Sequence, residues 1–217
     1  MGINNDKIIN FSFASLRKLM EVVKIKKIKN HSKFDEWFSY NYKINEDESE
    51  FLEKLVNRHE LDLSSYSEQK LTIRFIAPIL NRIDFHFDDV KDWYSSEISC
   101  KLNGFLLKGK PYLIVAKGID FPEKPYFFLQ EYKKSVNPYG NPEYQVLAEM
   151  LAAITLNKSN KIYGSFVIGQ YWKFVILEKL ENGSYEYFIS HSFDALKFSE
   201  IKKIYINLQK IKFLFCR

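Results

Sequence analysis

The sequence predicts an α+β protein, an α/β sandwich with a mixed central sheet flanked by helices. Three observations predict it. Nineteen Phe and 14 Tyr against 8 Gly and 6 Pro describe a strand-rich, aromatic interior. Runs of β-branched and aromatic residues, punctuated by glycine turns, fill residues 94–133 and 161–189. The elements then follow in the order helices, one long helix, a three-strand meander, a helix and two or three further strands, which suits a mixed sheet rather than a βαβ repeat.

Residues 11–60 read as two or three short helices. Leu16, Met20 and Val23 recur at helical spacing, Phe34, Trp37 and Phe38 cluster, and "NEDESEFLEKLVNRHE" has an acidic first turn and a basic last turn, as the helix dipole favours. This segment is predicted as a helical N-terminal extension, residues 1–62, ahead of a core spanning 63–217. A longer helix follows over 64–82, with Leu71, Phe75, Ile76 and Ile79 on one side and Pro78 set to kink or end it. "EISCKLNGFLLKGKPYLIVAKG" carries hairpin signals at Asn103-Gly104 and Gly109-Lys110, and "KPYFFLQEYKK" is a third strand. Asn141 as cap, Pro142 at the first position and Glu143 beside the dipole open a helix whose apolar stripe is Val146, Leu147, Met150, Leu151 and Ile154. Small Ala148, Ala152 and Ala153 allow that helix to approach a sheet closely. Two strands then turn at Gly169-Gln170, "YEYFIS" adds another, and a basic amphipathic helix runs over about 198–212.

The 217 residues fit one compact unit. A net charge of +5 permits contact with polyanions without demanding it. Two cysteines, Cys100 and Cys216, stand far apart and in no metal-ligand spacing, so a reducing cytoplasm is expected rather than a disulfide scaffold. The N-terminal stretch has no basic segment followed by a long apolar run, and no segment is long enough to span a bilayer, so no membrane partner is expected. The histidines are scattered, and Trp37, Trp93 and Trp172 read as packing residues.

Chemistry is concentrated in "FFLQEYKKS". Strand alternation sends Phe127, Leu129, Glu131 and Lys133 to one face and Tyr126, Phe128, Gln130 and Tyr132 to the other. A carboxylate there suits Mg²⁺, which takes one or two carboxylates with waters and substrate phosphate, and a neighbouring lysine suits a nucleophilic water or a charged phosphorane. The acid-x-Lys pattern also occurs at Glu68, Asp89 and Glu200, so spacing alone does not single out Glu131. Its neighbours do: an apolar strand, a preceding hairpin, and a well-capped following helix bearing Gln145.

Residues 68 to about 178 resemble the PD-(D/E)XK superfamily, the restriction-endonuclease-like fold, and especially bacterial proteins similar to the nuclease domain of type I restriction R subunits. The resemblance runs through Glu68 with "TIRFIAPIL", "LLKGKPYLIVAKG", "FFLQEYKKS", "YQVLAEMLAA" and "KIYGSFVIGQYWKFVILE", in that order and over about half the chain. It implies Mg²⁺-dependent phosphodiester hydrolysis of DNA or RNA, with Glu68, Glu131 and the carbonyl of Tyr132 holding the metal, Lys133 positioning the attacking water and Gln145 supporting Lys133. One position departs from the family. Where the pattern has Pro-Asp this chain has Pro111-Tyr112, and a phenol with a pKa near 10 is protonated and a weak ligand at neutral pH. Asp120 is the next carboxylate, displaced into the following loop.

Two functional expectations follow: a degenerate or weakly active nuclease, or a non-catalytic module that keeps the fold to bind nucleic acid or a protein. The bland alternatives are a same-face charge pair for Glu131 and Lys133, a first-turn acid for Glu68 and an exposed helical glutamine for Gln145. The lysines of "KIKKIKN" and of the last helix read as solvated helix faces, which would track phosphates only if they converged on Glu131. Oligomeric state is not legible.

Overall fold

Apolar alternation and glycine turns build two sheets, and helices with one apolar face cover them. The computed structural model describes residues 7–135 and 140–216; the first six residues of the stretch read for a leader lie outside them. In chain order the elements are β1 (Lys7–Asn10), α1 (Leu16–Val22), β2 (Ile25–Ile28), α2 (Asp35–Phe38), α3 (Glu46–His59) and α4 (Glu68–Leu71). A π-helical turn (Thr72–Ile76) carries α4 into α5 (Ala77–Ile83), followed by β3 (Val90–Tyr94), β4 (Ile98–Leu102), β5 (Phe105–Gly109), β6 (Leu113–Lys117) and β7 (Glu123–Lys133). The chain closes with α6 (Pro142–Asn157), β8 (Lys161–Ile168), β9 (Tyr171–Lys179), β10 (Tyr185–Ile189), β11 (Phe193–Asp194) and α7 (Phe198–Phe215).

The protein is α+β with a large mixed sheet. Its strand order is β2-β10-β9-β8-β7-β6-β3, with β11 paired to β9, and a second, three-stranded sheet has the order β1-β5-β4. Neighbours in the large sheet are antiparallel except β2 with β10 and β7 with β8. The β7–β8 pair is joined by α6, as a parallel pair requires a crossover.

The large sheet separates two cores. On one side α6 lies between β7–β8 and the small sheet, so nearly its whole circumference is buried and it reads as apolar all round rather than striped. Gly164 on β8 makes that approach possible, because a Cβ there would meet Met150 Sδ at 2.7 Å and Leu129 O at 3.0 Å. Gly164→Ala is expected to cost about 1–3 kcal/mol by overpacking, measured as a shift of the urea midpoint. On the other side α2, α3, the α4–α5 helix and α7 pack over Phe128, Tyr132, Trp172 and Phe174.

Several sequence expectations need correction. Residues 1–62 are not purely helical: β1 joins the small sheet, and β2 adds an edge strand to the large one, built from "IKKI" in the segment read as a lysine-rich helix face. In α1 the buried residues are Leu19 and Val22, while Met20 faces solvent. The meander of the large sheet is β3-β6-β7, with β3 unforeseen; the Asn103-Gly104 hairpin, both residues at positive φ, belongs to the other sheet. Gly109-Lys110 is the exit from that small sheet rather than a turn. A bulge opposite Val115 and Ala116 also breaks the alternation of β7, sending Phe127 with Phe128 into the helix-covered core and Tyr126 toward α6. Pro78, expected to kink or end its helix, does not end it: it sits in the first turn of α5, directly after the π-helical turn.

Candidate functional site

Glu68, Glu131 and Lys133 meet at one end of the large sheet. Ser67 caps α4 by accepting from the Lys70 N–H, which places Glu68 in the first helical turn. Glu131 and Lys133 end β7, two residues apart on the face toward α6. Lys133 Nζ lies 3.2 Å from Glu68 Oε1 and 3.7 Å from Glu131 Oε1, so one ammonium bridges both carboxylates. Its side chain is 24% exposed, against 48% for Glu68 and 4% for Glu131.

Tyr112 stands one residue before the Leu113–Gln130 pair, level with Glu131. Its ring packs on Tyr132 with centroids 3.6 Å apart and edge-on to Tyr94 at 6.1 Å, and the Thr72 hydroxyl of the π-helical turn stands beside its phenol. Burial raises the phenol's pKa, and the nearby charges of Glu131 and Glu68 raise it further. It stays neutral and protonated. The position that the resemblance assigns to a metal-bridging carboxylate therefore holds an aromatic plug. Asp120 is exposed beyond the far end of β6 and does not replace it.

The residue that sequence reasoning missed is Glu149. It lies on α6 one turn after Gln145, is completely buried, and its two carboxyl oxygens have no hydrogen-bond partner of ordinary geometry among the described residues. Burial drives its pKa well above the usual carboxylate range, and the neighbouring Glu131 drives it higher. Burial likewise raises Glu131 to about 7, although Lys133 and the Tyr112 backbone N–H pull it down. Two carboxyls facing one another in a dry site cannot both ionise cheaply, so the pair holds a proton at neutral pH. Lys133 is lowered by burial, but Glu131 and Glu68 outweigh this and raise its pKa overall. The signal for Glu149 was present in the sequence: a single acid among Val146, Leu147, Met150 and Leu151.

Gln145 is buried rather than exposed, and its Oε1 has no partner among the described residues. The carboxyl its side chain acts on is Glu149, which departs from its expected support of Lys133. Tyr132 is held in the ladder opposite Val167. Trp37 and Trp172 are buried packing residues, as expected.

These residues do not fit a divalent cation as they stand. Among the described residues no three His, Cys, Asp or Glu side chains are grouped so as to hold a metal ion. Glu68 and Glu131 are both turned to the Lys133 ammonium, Glu149 keeps its proton, and Tyr112 offers a neutral phenol. The lysines of β2 do not help, since β2 lies four strand spacings from β7, about 19 Å, and Lys27 is paired with Glu143 at 2.8 Å. No family model matches the chain, and no curated protein matches it. Among the described residues no helix is long and apolar enough to cross a membrane.

Proposed function

We propose that the protein is a PD-(D/E)XK-type, nuclease-fold protein whose hydrolytic centre is closed, and that it binds nucleic acid without cutting it. The order of a helix, the β3-β6-β7 meander, the α6 crossover and the parallel strand β8 supports the superfamily reading, with Glu68, Glu131 and Lys133 gathered at one sheet end. The observation that carries the closure is the Glu68–Lys133–Glu131 bridge, with the Tyr112 ring level with Glu131. An ammonium between two carboxylates satisfies electrostatically what a metal ion would otherwise neutralise. A reducing, cytoplasmic setting agrees with the free thiols of Cys100 and Cys216.

The test is incubation of the purified protein with single- and double-stranded DNA and with RNA in Mg²⁺ or Mn²⁺. No cleavage above the metal-free control is expected, and none that Glu131→Ala changes. Metal-dependent cutting abolished by Glu131→Ala would restore the hydrolytic reading. Binding is expected to weaken steeply as salt is raised, because phosphate contacts release counterions. A flat salt response would point to a protein partner instead.

A further inference from the structure

We propose that the cleft between α3 and the π-helical turn is a binding site for a small organic phosphate of nucleotide size. The cleft has a volume of about 510 Å³, within the range of pockets that hold cofactor-sized molecules. Arg58 reaches it from α3, Lys70 from α4 and Arg74 from the π-helical turn, with Asp62 the one carboxylate in its lining.

That carboxylate is already engaged. Asp62 accepts from the Tyr66 hydroxyl at 3.0 Å and lies 4.0 Å from Lys70 Nζ. Arg58 and Arg74 have no carboxylate partner among the described residues, whereas other surface cations such as Lys27, Lys33, Arg82 and Lys117 have one. Two guanidiniums and an ammonium around one concavity match a phosphate dianion, which arginine grips through paired N–H donors.

The remaining walls are built for an organic body. Phe51, Leu55 and Pro78 line the cleft, and Ile73 is 57% exposed beside it, an apolar surface that bare phosphate would not use. The floor is fixed: His59 is buried and its Nδ1 is 2.7 Å from the Tyr66 hydroxyl, while Lys70 Nζ sits 3.7 Å over the Tyr66 ring. Ile73 and Arg74 reach the cleft from the π-helical turn, a wide turn that forgoes regular α-helical bonding and recurs at functional sites. The cleft shares none of its residues with the Glu131–Lys133 cluster, so it does not depend on the nuclease reading.

Isothermal titration of the full chain with adenosine monophosphate, inorganic phosphate and a short single-stranded oligonucleotide tests the assignment. Saturable binding of adenosine monophosphate is expected, weaker binding of inorganic phosphate, and at least a tenfold loss of affinity in Arg58→Gln/Arg74→Gln. Both arginines are exposed, so the double variant keeps the fold, and Lys179→Gln outside the cleft should leave binding unchanged. No saturable binding of adenosine monophosphate would overturn the proposal, as would affinity unaltered in the double variant or inorganic phosphate binding as tightly. Oligonucleotide held through the same arginines without any response to adenosine monophosphate would also overturn it, and would make the cleft a nucleic-acid surface.

Discussion

Glu149→Gln is expected to stabilise the protein at pH 8 and to flatten its stability between pH 5 and pH 8. Carboxyls of this type ionise near 4.5 when unperturbed, whereas Glu131 is raised to about 7 and Glu149 is raised well above its ordinary value. Folding therefore takes up protons. The stability linked to these groups is complete below pH 4.5 and is lost as pH rises through about 7 for Glu131 and through the raised value of Glu149. Glu131, displaced from 4.5 to about 7, costs on the order of 3 kcal/mol once the pH passes its folded value, and Glu149 adds to that in the same direction. Glutamine carries no proton to lose, keeps the side-chain volume, and offers Glu131 an amide donor. His59 and His191, both held below the ordinary histidine range chiefly by burial, act in the opposite sense and only as pH falls. Urea unfolding at the two pH values measures the effect. An unchanged slope in the variant would show that the buried pair does not share a proton.

Tyr112→Asp is expected to create a divalent-cation site beside Glu131, where the described residues form no metal-binding group. The position is level with Glu131, and its backbone N–H already points toward that carboxylate. A second carboxylate there would supply the pair of acids that Mg²⁺ accepts alongside waters, in space vacated by the ring packed on Tyr132 and Tyr94. Removing a half-buried tyrosine would itself cost about 2 kcal/mol of burial, so the metal-free variant should melt lower than the native protein. Saturable Mn²⁺ binding with a dissociation constant on the order of 1 mM should recover part of that loss. Calorimetric titration with Mn²⁺ checks it. No binding to the variant would mean that position 112 does not correspond to the metal-bridging position, which would count against the superfamily reading.

Both predictions turn on residues that the sequence made visible to different degrees. Glu131 and Lys133 were legible because a strand period of two puts them on one face, and Glu68 because a serine cap places it in a first helical turn. That α4 lays Glu68 against Lys133 depends on a contact between residues 65 positions apart, which no local pattern encodes. The α6 helix was readable from its cap, proline and dipole residues, but its burial on both sides was not. The small sheet that covers its outer face recruits β1 and the Asn103-Gly104 hairpin, segments distant in the chain. Lysine-rich "IKKI" became an edge strand because pairing with β10 outweighed its helix-like composition.

Amino-acid order alone determined the α+β class, the strand that carries Glu131 and Lys133, the start of α6 and the absence of an aspartate beside Pro111, since each rests on local period, cap chemistry or residue identity. Tertiary structure alone decided that Lys133 bridges two carboxylates, that Glu149 faces Glu131 in a dry interior, and that Arg58 and Arg74 share one cleft. Those are matters of distance and dielectric, and both arise only when the sheet and its helices close around the side chains.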